Sequence, residues 1–355
     1  MTATVDQVKP RSWVHRWGVA VDERLGISAL RYPVPRHANR LAWSLGGVTL
    51  GSLLILIVTW IVLAQFYVPT PEAARASVIH IETEVAAGSL IRGIHLWAAQ
   101  AMYVLAAAHL ARVLLTGSYK RPREANWLIG LSLLGLTFLL VFTGSTLRWD
   151  QEAFEAVEHN TELAELTGGV GTWFTPEYAP NTPLLSRLYL AHVTFLPTLV
   201  FLLIVVHFLL VRRHKISPEP TIPVGGEEPD VQVPFTTHLR HLTGWVLWLL
   251  GILVAVAALT RSPVGAAPVP GIEVTKPLWP FWWLFQLENW IGLNGLFWAP
   301  LVVFLLLAAI PFLDRSPERR PSRRRWVMTA SLIGFGIIAG LTVAIAFTTP
   351  AAHLG

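Results

Sequence analysis

Residues 92–112 read RGIHLWAAQAMYVLAAAHLAR, an apolar segment with a histidine near each end and an arginine beyond each histidine. The two histidines, His95 and His109, are 14 residues apart. An α-helix turns about 100° per residue, so both would lie on nearly one face, about 21 Å apart along the axis. Ionisable side chains inside such apolar segments are rare and generally functional. The segment therefore predicts a helix with two functional imidazoles at different depths.

A second segment repeats this arrangement. Residues 187–213 read RLYLAHVTFLPTLVFLLIVVHFLLVRR and contain His192 and His207, 15 residues apart. If both helices cross a membrane in the same direction, His95 lies level with His192, and His109 level with His207. Two facing histidines can bind both sides of a haem iron and leave it no free coordination position, which suits haem b used for electron transfer. Hydrogen-bonded core histidines, or the proton relay of a transporter, are the alternatives.

Composition places these segments in an integral membrane protein. Of 355 residues, 53% are hydrophobic and only 14% are charged, which is outside the range of ordinary soluble domains. The absence of cysteine excludes disulfides, iron–sulfur clusters and covalently attached haem on this chain. The basic N-terminal residues lack the apolar core and cleavage site of a signal peptide.

Seven segments are long and apolar enough to span a bilayer, which requires about 20 residues. They are residues 43–66, 90–113, 126–147, 187–211, 242–260, 296–313 and 327–349. An eighth apolar stretch, 277–290, is short, aromatic and interrupted by proline and charge, so it is predicted to be interfacial or re-entrant. The predicted fold class is an all-α integral membrane protein of seven transmembrane helices.

Basic residues predict the orientation of these spans. The N-terminus and the loops after the second, fourth and sixth spans carry 21 of the 27 Lys and Arg residues. The positive-inside rule therefore predicts a cytoplasmic N-terminus and an external C-terminus in a bacterial or archaeal plasma membrane. The basic character then belongs to the inner membrane face, and nucleic-acid binding is not expected.

The predicted organisation has four parts. Residues 1–42 form a cytoplasmic segment, and 43–213 form a four-helix dihaem bundle. Residues 214–240, rich in Pro, Gly and acidic side chains, form a cytoplasmic linker. Residues 241–355 form a three-helix half that carries a long outer loop, 261–295. The two long outer loops, 148–186 and 261–295, could provide a binding site or docking surface.

Further residues are candidates for the haem surroundings. Arg92, Arg112 and Arg187 lie close in sequence to the histidines and could pair with haem propionates, although snorkelling at the membrane interface is an alternative. Gly130 and Gly144 in the third span are 14 residues apart. They could let a flat macrocycle approach the backbone at two depths, or could mediate helix contact.

Several motifs extend along nearly the whole chain. They include ERLGISALRYPVPRHANRLAWSLGG, VIHIETEVAAGSLIRGIH, GSYKRPREANWLIG, TGSTLRWDQ and RLYLAHVTFLP. In these motifs the chain resembles cytochrome b of the quinol–cytochrome c and quinol–plastocyanin oxidoreductases. The 15-residue histidine spacing and the three-span second half resemble the plastid and cyanobacterial type, in which the two halves are separate polypeptides. Here a subunit IV-like half is fused to the first.

This resemblance implies a function and its components. His95 and His192 would bind the iron of an outer haem b, and His109 and His207 that of an inner one, with Gly46 among the haem surroundings. The chain would carry electrons between an outer quinol site and an inner quinone site. It would work as a subunit of a translocase complex rather than alone, with a Rieske-type iron–sulfur protein and a c-type cytochrome as partners. Family members are usually homodimers.

Three departures from the family pattern affect these expectations. Ser44 stands where the plastid type attaches an extra haem through cysteine, and Trp60 replaces a family glycine 14 residues after Gly46.

The third departure is in the outer quinone site. The family sequence Pro-Glu-Trp-Tyr is here Pro-Phe-Trp-Trp, so Phe281 replaces the proton-accepting glutamate and precedes Trp282 and Trp283. Arg148 replaces a family proline two residues before Asp150, the other residue expected at this site. His80, Asp150 or Glu152 could accept the proton instead. The alternative function is a dihaem membrane anchor that passes electrons from an extracytoplasmic dehydrogenase or hydrogenase to quinone.

Overall fold

The computed structural model describes residues 13–26, 28, 31–227 and 231–348. Within them, seven helices are long and apolar enough to cross a membrane, as the sequence predicts. They are α2 (Leu41–Leu63), α4 (Gly88–Leu115), α5 (Glu124–Thr146), the continuous helical segment Leu184–His214, α9 (Phe235–Leu259), α11 (Leu293–Leu313) and α12 (Arg325–Ala346). The fourth span consists of α7 (Leu184–Leu190), a turn of π-helix (Ala191–Phe195) and α8 (Leu196–His214).

Short helices lie outside the spans. They are α1 (Trp13–Leu25), α3 (Ala74–Thr83), α6 (Gln151–Leu166) and α10 (Trp282–Ile291). Helix α10 contains most of the eighth apolar stretch and is about 15 Å long at 1.5 Å per residue. A membrane core is about 30 Å thick, so α10 cannot span it. Gly292 ends the helix with a φ of 69°, which a side chain would strain.

The first four spans form two packed pairs, α2 with α4 and α5 with α8. Leu53, Met102 and Val200 come from three of these helices and form a buried apolar cluster, completed by Leu133 and Leu136 of α5. Met102 and Val200 are each seven or eight residues from the two histidines of their own spans, and Leu53 lies between Gly46 and Thr59, which adjoin His109 and His95. The cluster therefore separates two polar levels with a layer of hydrocarbon.

The second half packs around the first. Helix α9 contacts both α2 and α4, and α11 contacts α5. The fifth span begins at Phe235, seven residues before the predicted 242, and the linker pairs with the N-terminal segment. Its strand β2 (Gln232–Pro234) is antiparallel to β1 (Pro33–Pro35), with Val34 opposite Val233. Residues 1–12 and 349–355, which include both termini and the end of the predicted last span, lie outside the described residues.

On the basic side of the molecule, a buried ionic cluster joins the two halves. Asp314, after α11, lies 2.7 Å from Lys120 Nζ and accepts a hydrogen bond of 2.5 Å from the Tyr119 hydroxyl. Arg324 donates to that hydroxyl at 2.9 Å and to the Leu114 carbonyl at 2.8 Å. Burial alone raises the pKa of Asp314, but these donors outweigh burial and hold it below its usual value. The cluster fixes α4 and α5 to the α11–α12 connection.

Candidate functional site

His95 and His192, the pair that the basic residues predict to be on the outer side and that is called the outer pair below, face each other across the bundle. The imidazole centroids of His95 and His192 are 6.5 Å apart, with their planes at 68°. A metal ion bonds an imidazole nitrogen at about 2.0–2.1 Å, so two imidazoles on opposite sides of one ion have centroids about 6.3 Å apart. Across the described residues, no group of three or more metal-binding side chains converges on a bare ion. The pair therefore suits an iron whose other ligands come from a porphyrin.

Two threonines orient these rings. Thr59 and Thr143 lie 2.9 and 3.0 Å from Nδ1 of His95 and His192, respectively. Each hydroxyl donates its proton to a carbonyl of its own helix, at Ile55 or Leu139, both at 2.8 Å. The hydroxyl oxygen must then accept from Nδ1–H, which leaves the lone pair on Nε2. A partner of this kind fixes the tautomer that a metal ligand needs.

The turn of π-helix explains the unequal spacing in the two spans. It begins one residue before His192 and includes one residue more than an α-helical turn. Fifteen residues with one such insertion bring His207 to about the same face as 14 residues of regular helix would. Pro197 follows this turn and lacks the N–H that would bond back to Val193, so the proline favours the irregularity. Sequence periodicity alone could not place this insertion.

Three glycines lie against histidine rings. A Cβ atom at Gly144 would be 2.7 Å from Cε1 of His192, and one at Gly46 would be 3.0 Å from Cε1 of His109. At Gly130 the corresponding distance to His207 is 3.7 Å, an ordinary contact. Trp60 stands 14 residues after Gly46, where the family has a fourth glycine, and its buried indole Nε1 has no hydrogen-bond partner among the described residues.

The inner pair is placed by the same helices. His109 and His207 each lie against a glycine of the neighbouring helix, as just described. A guanidinium nitrogen of Arg112 is 3.4 Å from Nδ1 of His109, and the guanidinium lies over the Trp43 ring at 4.9 Å. The Nε atom of Arg112 is buried and has no hydrogen-bond partner among the described residues. This unpaired cationic donor is consistent with an anionic cofactor at this level.

The other candidate arginines have protein partners. Arg92 pairs with Glu82 and donates to the Ser262 carbonyl at 2.5 Å. Arg187 donates to the carbonyls of Trp173 and Thr175 at 2.6 and 2.5 Å. Both side chains therefore hold the outer loops to the spans, whereas Arg112 directly contacts a histidine, His109.

At the outer side, Asp150 has a structural role in the described contacts. It caps α6 by accepting from the Ala153 N–H at 3.1 Å, and it accepts from the Gly265 N–H at 3.0 Å. It thereby ties the two outer loops together. Glu152 is 2.9 Å from Arg148. Burial raises the pKa of Glu152, although Arg148 opposes this. His80 pairs with Glu84 on the exposed surface at 3.1 Å.

The segment around α10 packs against the third and seventh spans. Phe281 is buried against Phe138 and Phe142 of α5, with ring centroids 4.5 and 6.1 Å away. Trp283 is buried in the same apolar cluster, and the Trp282 indole donates to the Pro277 carbonyl at 2.7 Å. The structure thus brings Phe281, Trp282 and Trp283 together, but no carboxylate occupies the position of Phe281.

One group of residues was not predicted from the sequence. His159 of α6 lies between two carboxylates, with Nε2 3.1 Å from Glu273 and Nδ1 3.0 Å from Glu288. The Glu273 and Glu288 side chains are 1% and 2% exposed. Burial by itself lowers the pKa of His159, but hydrogen bonding to Glu288 and the charges of Glu288, Glu273 and Glu162 raise it to about 9. The signal available in the sequence was the position of His159 within a stretch, 152–165, in which glutamates recur every three or four residues.

The fold and the histidine pairs define a class: a helical membrane protein whose bundle is suited to hold haem between facing histidines. Comparison with known proteins is more specific. A family model described as cytochrome b (N-terminal)/b6/petB matches residues 100–279. Cytochrome b6 of Heliomicrobium gestii is 40% identical over 190 residues, which is 52% of this chain and 89% of that protein.

Two further similarities extend this result. The cytochrome bc complex cytochrome b subunit of Chlorobaculum thiosulfatiphilum is 34% identical over 306 residues, 79% of this chain and 68% of that protein. A chain of a solved structure, described as hyperthermophilic respiratory Complex III, has the same fold. Its TM-score is 0.81 at 22% identity, covering 93% of this chain and 91% of that chain. The protein therefore belongs to the cytochrome b/b6 family of membrane electron-transport proteins, which bind haem b.

Proposed function

We propose that this chain is the dihaem cytochrome b subunit of a quinol:cytochrome c oxidoreductase of the bc type. The observation that carries the proposal is the arrangement of four histidines in two pairs at different depths. In the outer pair, the ring centroids of His95 and His192 are 6.5 Å apart, and a threonine sets the tautomer of each ring. A menaquinol:cytochrome c reductase cytochrome b subunit of Bacillus subtilis is 34% identical over 213 residues, 56% of this chain and 95% of that protein. That relative supports a quinol as the substrate class.

In this function, haem b supplies a one-electron carrier at each histidine level. His95 and His192 would hold the outer haem, and His109 and His207 the inner one; a haem held by two imidazoles would transfer electrons rather than bind oxygen. The apolar cluster of Leu53, Met102 and Val200 excludes water between the levels. A quinol would be oxidised beneath the outer loops and a quinone reduced at the inner face.

The proposal includes partners and organisation. A Rieske-type iron–sulfur protein and a c-type cytochrome would supply the centres that need cysteine, which this chain lacks. Ser44 is buried and donates to the Ala38 carbonyl at 3.1 Å, so it replaces the haem-bearing cysteine with a helix contact. Residues 43–213 and 241–355 act as the dihaem half and the subunit IV-like half. The assembly is a homodimer in the plasma membrane, oriented as the basic residues predict.

Phe281 favours a second candidate function, because it removes the family glutamate from the outer site. The chain would then receive electrons from an extracytoplasmic dehydrogenase or hydrogenase and pass them inward to quinone. The two functions differ in how the outer haem is reduced.

Oxidant-induced reduction distinguishes them. The complex is poised with a short-chain quinol, the inner quinone site is inhibited, and a pulse of ferricyanide is added. A transient rise of haem b absorbance is expected if the outer site sends one electron of quinol outward and the other inward. If the haems respond only to a periplasmic donor enzyme supplied with its substrate, the conduit function replaces the proposal.

Substitution of the ligands tests the haem assignment itself. His95→Leu or His192→Leu should remove one haem per chain, and His109→Leu or His207→Leu the other, measured by pyridine haemochrome spectra. Two haems in any of these variants would contradict the assignment.

A further inference from the structure

A polar side chain lies near the middle of the second span. Gln100 is about 18 Å along the axis from the first residue of α4, Gly88, and about 22 Å from the last, Leu115. Its carbonyl oxygen Oε1 accepts a hydrogen bond of 2.9 Å from the indole Nε1 of Trp279. Because an indole nitrogen only donates, this bond points the oxygen of the Gln100 amide toward Trp279 and its nitrogen away.

The amide nitrogen of Gln100 and the hydroxyl of Tyr103 have no hydrogen-bond partner among the described residues. Both side chains are half-buried, and neither polar atom is fully enclosed, so both groups open onto accessible space. The two residues are three positions apart and are therefore neighbours on the surface of α4. A polar group left unpaired in apolar surroundings costs about 1–3 kcal/mol. These two groups therefore favour a ligand that can form hydrogen bonds.

Aromatic side chains surround the two polar groups. The Trp279 ring meets the Tyr103 ring edge-on, with 5.7 Å between centroids, and Phe138 of α5 lies 6.4 Å from Tyr103. Phe138 in turn lies 4.5 Å from Phe281. The segment 279–281 thus connects α4 to α5, and none of these side chains carries a charge. Aromatic walls with a few neutral hydrogen-bonding groups suit a neutral, flat ligand that carries oxygen atoms.

The depth of Gln100 restricts the ligand further. The hydrocarbon core of a membrane is about 30 Å thick, so lipid head groups lie about 15 Å from its middle. Charged, water-soluble ligands do not reach this depth because their desolvation is too costly. A quinol or quinone is neutral, dissolves in hydrocarbon, and carries oxygens on opposite sides of a flat ring. Its head group matches both the polar groups and the aromatic walls.

Gln100 is also placed for electron transfer to the outer haem of the proposed function. It is five residues from His95, about 7.5 Å along the axis, and nine from His109, about 13.5 Å. It is rotated by about 140° from His95, to the side of α4 that faces the second half. Gly93 lies on that same side, where a Cβ atom would be 3.1 Å from Ala257 of α9.

We propose that Gln100 and Tyr103 form a hydrogen-bonding subsite for the quinol head group, between α4 and the segment 279–281. This inference rests on the proposed quinol oxidation and adds residues of the second span to the outer site. The Gln100 amide, held by Trp279, donates to one quinol oxygen, and the Tyr103 hydroxyl bonds to the same head group. Both residues bind and orient the substrate, and neither replaces the glutamate that is absent at Phe281.

The test measures oxidant-induced haem b reduction in the whole complex at increasing concentrations of a short-chain quinol. Gln100→Met removes the amide and keeps the length of the side chain, and Tyr103→Phe removes only the hydroxyl. Each should raise the half-saturating quinol concentration about 2- to 12-fold, which at about 1.36 kcal/mol per tenfold is the worth of one hydrogen bond. The maximum rate and the haem content should not change, because the lost interaction contributes to binding alone.

Thr260→Val is the matched control. The Trp97 indole donates to the Thr260 hydroxyl oxygen at 3.0 Å, which is also an indole bond between α4 and the second half, but lies on the exposed surface. Loss of that bond should leave the half-saturating quinol concentration at its wild-type value. An equal rise in Thr260→Val would assign the effect to helix packing and overturn the inference.

The remaining outcomes separate the inference from the function on which it rests. Absence of the transient in the wild-type complex overturns the proposed function, and the inference with it. A normal wild-type transient, with half-saturation unchanged in both Gln100→Met and Tyr103→Phe, overturns only the inference. A lower maximum rate at unchanged half-saturation also overturns it, because the residues would then act through structure. If Gln100→Met does not assemble, Tyr103→Phe decides.

Discussion

The hydrogen bonds from Thr59 and Thr143 to the outer histidines give a quantitative prediction. Each threonine accepts Nδ1–H at 2.9 or 3.0 Å, which increases the basicity of the imidazole and, in the proposed function, would stabilise the ferric state of the outer haem. Valine has the same shape without the hydroxyl. Thr59→Val and Thr143→Val should therefore each raise the midpoint potential of the outer haem.

The size of the shift follows from the energy of one hydrogen bond. A typical bond contributes about 0.5–1.5 kcal/mol. For one electron, about 1.36 kcal/mol corresponds to 59 mV. If the whole bond energy belongs to the ferric form, the potential rises by about 20–65 mV. In the proposed haem site each threonine bonds a different histidine, so the double variant should show a larger rise than either single variant.

A redox titration of the complex, followed at the haem b absorbance bands, measures the effect. Thr137→Val is the matched control, because Thr137 is buried in α5 and donates to the Leu133 carbonyl at 2.8 Å without a histidine contact among the described residues. It should leave both potentials unchanged. The reasoning is refuted if the outer potential moves by less than about 10 mV, or if both haems shift equally.

Three further predictions concern the glycines beside the histidines, the buried ionic cluster around Asp314, and the effect of pH on stability. Gly144→Ala places a methyl group 2.7 Å from Cε1 of His192 and should remove the outer haem, whereas Gly130→Ala has 3.7 Å of space and should retain both, as measured by haem per chain. Asp314→Asn leaves buried cations without their partner and should cost about 3–5 kcal/mol, seen as a lower unfolding temperature of the complex. An unchanged temperature would contradict a structural role. Because the pKa of His159 is raised to about 9, its ion pairs stabilise the fold fully below its ordinary pKa and lose that effect as pH rises through 9. Thermal stability should fall in that window, and His159→Gln should flatten the fall; an equal fall in the variant would contradict this.

Much of the architecture follows from local sequence. A spanning helix must satisfy its backbone hydrogen bonds internally and be apolar along about 20 residues, so each span is visible within its own segment. The predicted starts are two to seven residues late, because polar residues such as Thr236 and Arg240 belong to the first turns of a helix that the surrounding protein stabilises. The stretch around Phe281 was correctly separated from the spans, since its length and proline are local properties.

For the candidate site, local sequence determined some features and tertiary structure determined the others. The sequence by itself determined the seven spans, the four histidines within them and the glycines at matching intervals, because helical periodicity relates residues of one segment. Only the tertiary structure decided that Thr59 and Thr143 orient the outer rings, that a π-helical turn absorbs the fifteenth residue, and that His159 lies between Glu273 and Glu288. The last arrangement joins residues more than 100 positions apart. Such contacts depend on how helices and loops pack, which no local pattern encodes.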